Sequence, residues 1–314
     1  MRRRAGATVV VRGHGFPDIR TTHEHPFLSR RSERRWDNAR RTYRREFGRP
    51  GWAVAEGLTG AHVGQVLPVE SIADDRSAEW WWLVGRYLAD GWRVDRRGCR
   101  DGRVVICAAR HEADALAARI EAAGYRAGRS DERTAVKFHI TKGEFYRSLA
   151  SFGRGAAGKR LPGWVHGLDA KLGEAVLEGY LAGDGCRVGR VWKATTVSRA
   201  LALGVALLAH RAWGVVASIH EADVPVFCVI EGRTVRQRRQ YQVVIPDRNR
   251  SAFVEGDRGW KRVRRVRGAA PCEVFNLSVK DDESYVADGC VVHNCQDLSV
   301  AGKRGGIRAA RSGL

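Results

Sequence analysis

The chain has 314 residues, and its apolar fraction of 44% is enough to build about two ordinary globular domains. This composition excludes collagen-like, coiled-coil and disordered chains, and charged residues interrupt every apolar stretch before the roughly 18 residues that a membrane-spanning helix needs. Lys and Arg number 55 against 35 Asp and Glu, which leaves a net charge of +20, so DNA or RNA is the first partner to expect.

Cysteine usage and the N-terminus indicate the compartment. The seven cysteines lie at positions 99, 107, 186, 228, 272, 290 and 295. They form no Cys-x-x-Cys pair and have no His at zinc-finger spacing, so neither a disulfide framework nor a structural zinc site is expected. The Arg-rich start leads into the strand-like ATVVVR and not into an apolar signal core, which predicts a cytoplasmic protein without a membrane partner.

The first predicted elements are short strands. Residues 1 to about 75 contain β-rich stretches such as ATVVV and IRTT between turns, with no helical period before Trp36. From Ser77 the pattern changes, because SAEWWWLVGRYLADG places its apolar residues on one helical stripe that stops at Gly91. Further elements follow in order: two strands around a turn at 101–102, a helix over 111–123, a strand RTAVKFHI and a helix ending near 149.

The ending of the helix that stops at Gly91 recurs later in the chain. The segment KLGEAVLEGYLAGDG ends like the first helix at an offset of 94 residues (184 minus 90), and a strand RVGRVWKATTV and a helix SRALALGVALLAHRAWG follow it. Two units of this length predict an internal pseudo-twofold and not a solenoid, which needs three or more short repeats. From about Phe253 the pattern returns to short strands, so a helical domain is predicted to be inserted into a β domain.

Both helix endings, LVGRYLADG and LEGYLAGDG, share one nine-residue frame. Each has small residues four positions apart: Gly85 and Ala89, and Gly179 and Gly183. Two such helices can pack backbone to backbone, which would bring Asp90 and Asp184 side by side. One Asp-Gly ending is usually a plain helix cap, but two in one frame favour an oxygen-ligand site for Mg²⁺, which can activate water against a phosphodiester.

On these frames, residues 76 to about 250 resemble a single-chain homing endonuclease of the LAGLIDADG family. The resemblance implies an α/β saddle of two antiparallel sheets in the DNA major groove, with Asp90 and Asp184 as catalytic and metal-binding residues and Mg²⁺ as cofactor. It also makes Lys193 the better-placed catalytic lysine, while Lys159 in GKRLP matches a stretch before the second helix. The strand residues that would face DNA are Arg93, Arg96, Arg97, Arg187, Arg190 and Lys193.

The strand pattern near the C-terminus ends in VHNC, which combines three reactive groups. The amide of Asn294 can attack its own carbonyl, His293 can donate a proton, and Cys295 can serve as a nucleophile. Preceded by DES and YVADG, this segment resembles the C-terminal end of an intein, a self-splicing insert. The resemblance implies that His293 assists, that Asn294 cyclises, that Cys295 begins the downstream flank, and that splicing needs no cofactor.

The matching N-terminal motif is TTHEHPF, which holds Thr22 and His25 in the Thr-x-x-His arrangement that inteins place against the upstream scissile bond. Two positions depart from the family, since Asn276 stands where many inteins have Asp and Glu283 where many have His. Inteins also begin with Cys or Ser on an opening strand, which the sequence before Thr22 does not match. Three explanations stay open: a misplaced start codon, an interrupted gene, or a separate N-terminal fragment from another polypeptide. We therefore expect this chain alone to perform C-terminal cleavage at most.

The last twenty residues, CQDLSVAGKRGGIRAARSGL, resemble the catalytic loop of DNA cytosine-5 methyltransferases. In that loop a Pro-Cys-Gln triple precedes a Ser, a Gly-Lys-Arg and an Arg-Ser-Gly. The resemblance implies that the insert interrupts such an enzyme and that Cys295 is also the thiol that attacks a flipped cytosine. The alternative is a basic, Gly-rich disordered end.

The whole sequence thus predicts an α+β chain in which an α/β LAGLIDADG endonuclease splits an all-β, Hint-like splicing domain. The predicted boundaries are 1–75, 76–250, 251–294 and 295–314. The expected function is a splicing element that carries a double-strand DNA endonuclease in a methyltransferase host and acts as a monomer. Two alternatives stay open: a DNA-binding or cleaving protein with a relic splicing domain, or a piece of a cytosine-5 methyltransferase.

Overall fold

A computed structural model describes residues 2–66, 70–230, 232–249, 252–256, 258–277, 279 and 283–294. The chain divides into two compact units, Met1–Val66 with Arg250–Leu314, and Leu67–Asn249. The second unit is therefore inserted into the first, and it begins before the boundary predicted at residue 76. Cys295 and the tail after it lie outside the described residues. Among the helices described, none is long and apolar enough to cross a membrane.

Strands dominate the first unit. Its N-terminal part contributes β1 (Arg2–Gly13), β2 (Ile19–Thr22), β3 (Pro26–Arg30), β4 (Ser32–Asp37), β5 (Thr42–Phe47), β6 (Gly51–Val54) and β7 (His62–Val66). The inserted unit follows with α1 (Ala78–Asp90), β8 (Gly91–Val94), β9 (Arg103–Ala109), α2 (Ala113–Ala122), β10 (Ala127–Asp131), β11 (Ala135–Ile140), α3 (Gly143–Ser148), α4 (Gly155–Gly158), α5 (Ala170–Asp184), β12 (Gly185–Val188), β13 (Val191–Thr196), α6 (Arg199–Trp213), β14 (Ser218–Ala222), β15 (Phe227–Ile230), β16 (Arg233–Arg236) and β17 (Gln240–Pro246). The C-terminal part of the first unit adds β18 (Phe253–Glu255), β19 (Arg258–Asn276), β20 (Ser284–Ala287) and β21 (Cys290–His293).

One nine-stranded sheet organises the first unit, in the order β2-β1-β19-β7-β3-β21-β20, with β18 beside β19 and β6 beside β3. The 19-residue strand β19 lies in a region where the sequence predicts only short strands. Its register against β1 shifts between the pairs Gly6↔Cys272 and Thr8↔Ala269, on either side of Pro271. A proline cannot donate to a ladder, so a bulge at this point lets one strand continue past it.

A separate hairpin in this unit is absent from the sequence prediction. Strands β4 and β5 pair one to one from Ser32↔Phe47 to Asp37↔Thr42 in a two-stranded sheet of their own. The arginines in both strands conceal the alternation of apolar and polar residues on which a strand prediction depends. The buried core of the unit lies elsewhere, around Val11, Phe27, Leu58, Val63, Val263 and Val292.

The inserted unit repeats one arrangement twice. Four-stranded antiparallel sheets form in the orders β10-β11-β9-β8 and β12-β13-β17-β14, and each of the two helices α1 and α5 leads directly into the first strand of its sheet. Helix α1 begins where the Ser77 hydroxyl accepts a hydrogen bond from the amide of Trp80, at 3.2 Å. Its residues from Trp80 to Leu88 are all buried, because α1 packs against α5 and against its own sheet.

Candidate functional sites

Glycines bring α1 and α5 into backbone contact. A Cβ atom on Gly85 would lie 2.0 Å from the carbonyl oxygen of Val176, and one on Gly179 would lie 1.9 Å from that of Trp82. Neither position has room for a methyl group, since real Cβ atoms do not come this close to a backbone oxygen. The seam of small residues predicted from the two frames is therefore present.

The two helices end side by side at Asp90 and Asp184, the last residues of α1 and α5. A Cβ atom on Gly183 would lie 2.7 Å from Oδ2 of Asp90, so the chain just before Asp184 runs against that carboxylate. Burial first, and then the negative charge of Asp90, raise the pKa of Asp184 from 3.8 to about 6. The described residues include no cluster of three or more His, Cys, Asp or Glu that could hold a metal, so this site offers two carboxylates.

The residue one helical turn before each aspartate differs between α1 and α5. Asp90 accepts a hydrogen bond from Arg86, whose Nη1 lies 2.5 Å from its Oδ2. Arg86 is buried, and its other nitrogen donates to the carbonyl oxygen of Cys107 at 3.1 Å. The same frame position before Asp184 is Tyr180, whose pKa is raised by burial and then by Asp184. Arg86 is not among the site residues predicted from the sequence, although its spacing of four residues from Asp90 is a helical ion-pair signal.

Lys159 is the lysine that the structure places between the helix ends. It is buried, and its Nζ donates to the carbonyl oxygen of Ala89 at 2.9 Å. Burial lowers the pKa of Lys159 to about 8, and the charges of Asp184 and Asp90 oppose this shift. Lys193 lies instead on β13, half-buried and paired with Cys186 and Val244.

The residues predicted to face DNA do not share one surface. In β8, Arg93 pairs with the core residue Val104, and its guanidinium carbon lies 4.3 Å from the centre of the Tyr146 ring. Because directly paired residues share a side of a sheet, Arg93 points toward the helices. Its contact with DNA stays a prediction from the sequence.

Arg187 lies on the helix side of its own sheet and is exposed. It pairs with Trp192, which packs against the helix-side core, and its Nη2 donates to both carboxylate oxygens of Asp247 at 2.7 and 2.8 Å. Lys193 is next in register and lies on the other surface of the sheet. The remaining three arginines are exposed, two of them in the segment after β8 and one in the turn before β13: Arg96, Arg97 and Arg190.

A second group of reactive residues lies at the end of β21 in the first unit. Nδ1 of His293 lies 2.7 Å from the carbonyl oxygen of Asn294, on the bond that leads to the next residue. Nε2 of His293 lies 3.6 Å from Oε2 of Glu283, and the Trp52 ring packs edge-on against the imidazole with centroids 4.9 Å apart. Glu283 thus occupies the position that departs from the intein pattern and contacts this histidine.

Asn294 itself is held from two sides. Its amide nitrogen Nδ2 donates to the carbonyl oxygen of Val279 at 3.2 Å, and its backbone N–H donates to that of Glu283 at 2.6 Å. Its side-chain oxygen Oδ1 is buried without a hydrogen-bond partner among the described residues. Cys295, the other predicted member of this group, lies outside the described part of the chain.

His25 is buried close to the same group. Burial lowers its pKa, Glu24 opposes the shift, and His293 adds to it through its own charge. The His25 ring packs edge-on against Phe27 at 5.7 Å, and Tyr285 lies 6.3 Å away. Its backbone N–H donates to the carbonyl oxygen of Thr22 at 3.3 Å, which fixes the turn of the Thr-x-x-His motif.

Parts of the chain are similar to two groups of known proteins. No protein-family model matches. Curated iron-sulfur cluster assembly SufBD family proteins from Mycobacterium bovis and from two strains of Mycobacterium tuberculosis are 30% identical over 172 residues, which cover 49% of this chain. The match covers 19% of each relative, so the chain spans about a fifth of the length of these proteins.

Solved structures that align with the chain include LAGLIDADG proteins. The homing endonuclease I-DmoI in complex with DNA and Mn aligns at a TM-score of 0.37 and 16% identity, over 54% of this chain and 89% of that chain. I-DmoI is also solved with DNA and Ca. Full-length DUF199/WhiA from Thermatoga maritima aligns at a TM-score of 0.35 and 11% identity, over 57% and 54% of the two chains.

Proposed function

We propose that the unit Leu67–Asn249 is a metal-dependent endonuclease for double-stranded DNA, of the LAGLIDADG type that its sequence resembles. The observation that carries this proposal is the glycine contact between α1 and α5, which ends in the adjacent carboxylates of Asp90 and Asp184. Two carboxylates side by side repel each other, and a divalent cation relieves that repulsion. The large positive net charge suits a DNA substrate.

Asp90 and Asp184 are the residues that would hold Mg²⁺, which accepts a few carboxylate oxygens and completes its shell with water and phosphate. When bound, the ion would supply an activated water and stabilise the leaving oxygen. Arg86 holds Oδ2 of Asp90, so Oδ1 is the oxygen that this side chain would offer. Lys159, with a pKa of about 8 beside both carboxylates, can hold or release a proton at Nζ near neutral pH. Lys193 would contact DNA phosphate.

The test is cleavage of double-stranded DNA that carries the host gene without the insert. We expect Mg²⁺-dependent cleavage by the wild-type chain, and a loss of at least about 100-fold in Asp90→Asn and in Asp184→Asn, because each removes half of the ligand set. Binding of the same DNA should persist in both variants. Cleavage at the wild-type rate by the double Asn variant would rule out the two-carboxylate mechanism.

We further propose that the first unit is an intein splicing domain that acts on the bond after Asn294. The observation in favour is the 2.7 Å contact between Nδ1 of His293 and the carbonyl oxygen of Asn294, where a proton donor would polarise that carbonyl. Nδ2 of Asn294 forms a bond to its own carbonyl carbon while the bond to the nitrogen of Cys295 breaks. The proton that Nδ2 loses balances the proton that the leaving amine gains, and the products are a succinimide and a peptide beginning at Cys295.

The other residues of the first unit have assisting roles in this proposal. Nδ2 of Asn294 leaves the carbonyl of Val279 before it attacks, so that contact delays cyclisation. Oε2 of Glu283, 3.6 Å from Nε2 of His293, faces the imidazole that contacts Asn294. His25 and Thr22 would act at an upstream bond, where the lowered pKa of His25 keeps its imidazole neutral near pH 7. From its motif alone, we propose that the segment 295–314 begins the downstream part of a cytosine-5 methyltransferase, with Cys295 as the nucleophile.

Intact-mass spectrometry of the purified chain tests this second proposal. We expect slow release of the peptide that starts at Cys295, no release in Asn294→Ala, and slower release in His293→Ala. Cys295→Ala should still release its peptide, because that thiol takes no part in succinimide formation. Release at the same bond in Asn294→Ala would show that the succinimide mechanism is wrong.

A further inference from the structure

The hairpin of β4 and β5, residues 32–47, is hereafter the arginine ribbon. It forms a two-stranded sheet of its own, and most of its side chains are exposed. Six of its sixteen residues are arginines: Arg34, Arg35, Arg40, Arg41, Arg44 and Arg45. Neither proposed reaction uses any of them.

The pairing register divides the arginine ribbon into two chemically different faces. One face, hereafter the paired face because its opposite charges form ion pairs, carries carboxylates beside its arginines. Its charged residues are Glu33, Arg35, Asp37, Arg44 and Glu46. There Arg35 lies 3.2 Å from Glu46, and Arg44 lies 3.3 Å from Asp37, so the charges on this face largely neutralise each other.

The aromatic face is the other one, and it has no carboxylate. Its members are Ser32, Arg34, Trp36, Tyr43, Arg45 and Phe47. Arg34 and Arg45 are directly paired, and neither forms an ion pair within the part of the chain that the structure describes. Like charges in this position destabilise a sheet by a few tenths of a kcal/mol up to about 1 kcal/mol. Burial and then the positive charge of Arg45 lower the pKa of His62 to about 4.

Exposed aromatic rings lie next to these two charges. Trp36 is 49% and Tyr43 57% exposed, and their ring centroids are 5.0 Å apart. The guanidinium carbon of Arg34 lies 4.7 Å from the centre of the Tyr43 ring. At the base of the ribbon Phe47 packs against Phe253 with centroids 4.1 Å apart, so this face is anchored to the sheet of the first unit.

We propose that the aromatic face of the arginine ribbon is a second DNA contact, located in the first unit and separate from the endonuclease site. Arg34 and Arg45 would hold phosphates of a duplex, and Trp36 and Tyr43 would pack against the sugar and base edges of a groove. A two-stranded ribbon fits the width of the major groove, and guanidinium groups next to aromatic rings suit a polyanion that carries flat bases. The inference rests on the proposed function only in taking DNA as the polyanion.

The chain provides a matched pair of variants to test this. Arg34→Gln with Arg45→Gln removes two charges from the aromatic face, and Arg35→Gln with Arg44→Gln removes two from the paired face of the same strands. Fluorescence anisotropy of the full chain on a labelled duplex without Mg²⁺ measures binding over a range of salt concentrations. We expect the first pair to weaken binding at least about 10-fold and to reduce the slope of log K against log salt by about 2, and the second pair to change it less than about 3-fold.

Four further outcomes decide the proposal. Arg34→Lys with Arg45→Lys should keep most of the salt slope, because the two charges remain, which separates lost contacts from a misfolded ribbon. An equal loss in both Gln pairs would show a general charge effect, and no loss in either would exclude the contact. Tighter binding to a single strand than to the duplex would overturn the assignment to a groove. DNA cleavage that depends on Asp90 would stand through any of these failures, since that test measures hydrolysis.

Discussion

At the scale of single residues, Asp90 and Asp184 occupy equal positions in two equal frames but in opposite electrostatic settings. Asp90 accepts a hydrogen bond from the buried guanidinium of Arg86, which also contacts Glu112 at 3.4 Å. The charge of Asp184 is disfavoured, because burial and Asp90 raise its pKa to about 6. One aspartate therefore faces a buried positive charge, and the other carries a charge that its own surroundings disfavour.

Changing each aspartate to Asn should therefore affect the stability of the folded chain in opposite directions. Asp90→Asn leaves the buried Arg86 with only the carboxylate of Glu112, 3.4 Å away, and we expect a loss of about 1–3 kcal/mol at pH 7. Asp184→Asn removes a disfavoured charge, and we expect a gain of about 1 kcal/mol after allowance for its partial exposure to solvent. Melting temperatures of the two variants should move in opposite directions, by roughly 2–4 °C per kcal/mol.

The dependence on pH provides the control for Asp184. Its folded pKa of about 6 exceeds the ordinary value of 3.8, so the folded unit holds a proton that the unfolded chain has already released. The stability due to this proton is fully present below about pH 4 and is lost as the pH rises through about 6. The advantage of Asp184→Asn over the wild type should therefore shrink toward pH 4. An advantage that is the same at pH 4 and pH 7 would contradict this reading.

At the scale of elements, the seam between α1 and α5 sets the position of both carboxylates. We expect Gly179→Ala to destabilise the inserted unit by at least about 2 kcal/mol and to abolish cleavage, because its methyl group would meet the carbonyl oxygen of Trp82 at 1.9 Å. Gly173→Ala on the same helix is the matched control, since its methyl would meet only the end of the Leu208 side chain at 3.2 Å. That control should keep cleavage, and its helix propensity is better by up to about 1 kcal/mol.

The same elements show how far the sequence alone could lead. Helices α1, α5 and α6 are predicted nearly to their ends, because apolar stripes, Ser or Asp caps and closing glycines are all local signals. The partners of Asp90 depend on more: Lys159 reaches the helix end from another part of the chain, and its burial is a property of the packed unit. The side of the sheet that Arg93 takes depends on the register with β9, which the sequence of β8 does not specify.

At the scale of the whole molecule, each unit has a hydrophobic core of its own. The first unit also joins its two parts without help from the insert, since β19 pairs with both β1 and β7. Val66, the last residue before the insert, lies opposite Arg258, and β18 lies along the other side of the same stretch of β19. Val66 and Glu255, on either side of Arg258, are therefore about two strand spacings apart, roughly 10 Å.

This closure predicts that the reaction at Asn294 does not need the inserted unit. Replacing Leu67–Asn249 by a flexible Gly/Ser linker of about 8 residues, which spans roughly 15 Å on average, should leave β7 and β18 on either side of β19. We expect the shortened chain to release the peptide that starts at Cys295 within about 3-fold of the full-length rate, because Trp52, Val279 and Glu283, which contact His293 and Asn294 in the described part of the chain, all stay in place. Intact-mass spectrometry over time measures the two rates, with Asn294→Ala in the shortened chain as the blank. A shortened chain that folds, as judged by a cooperative melting transition, yet stays whole while the full chain cleaves would mean that the insert holds the geometry of the splice junction.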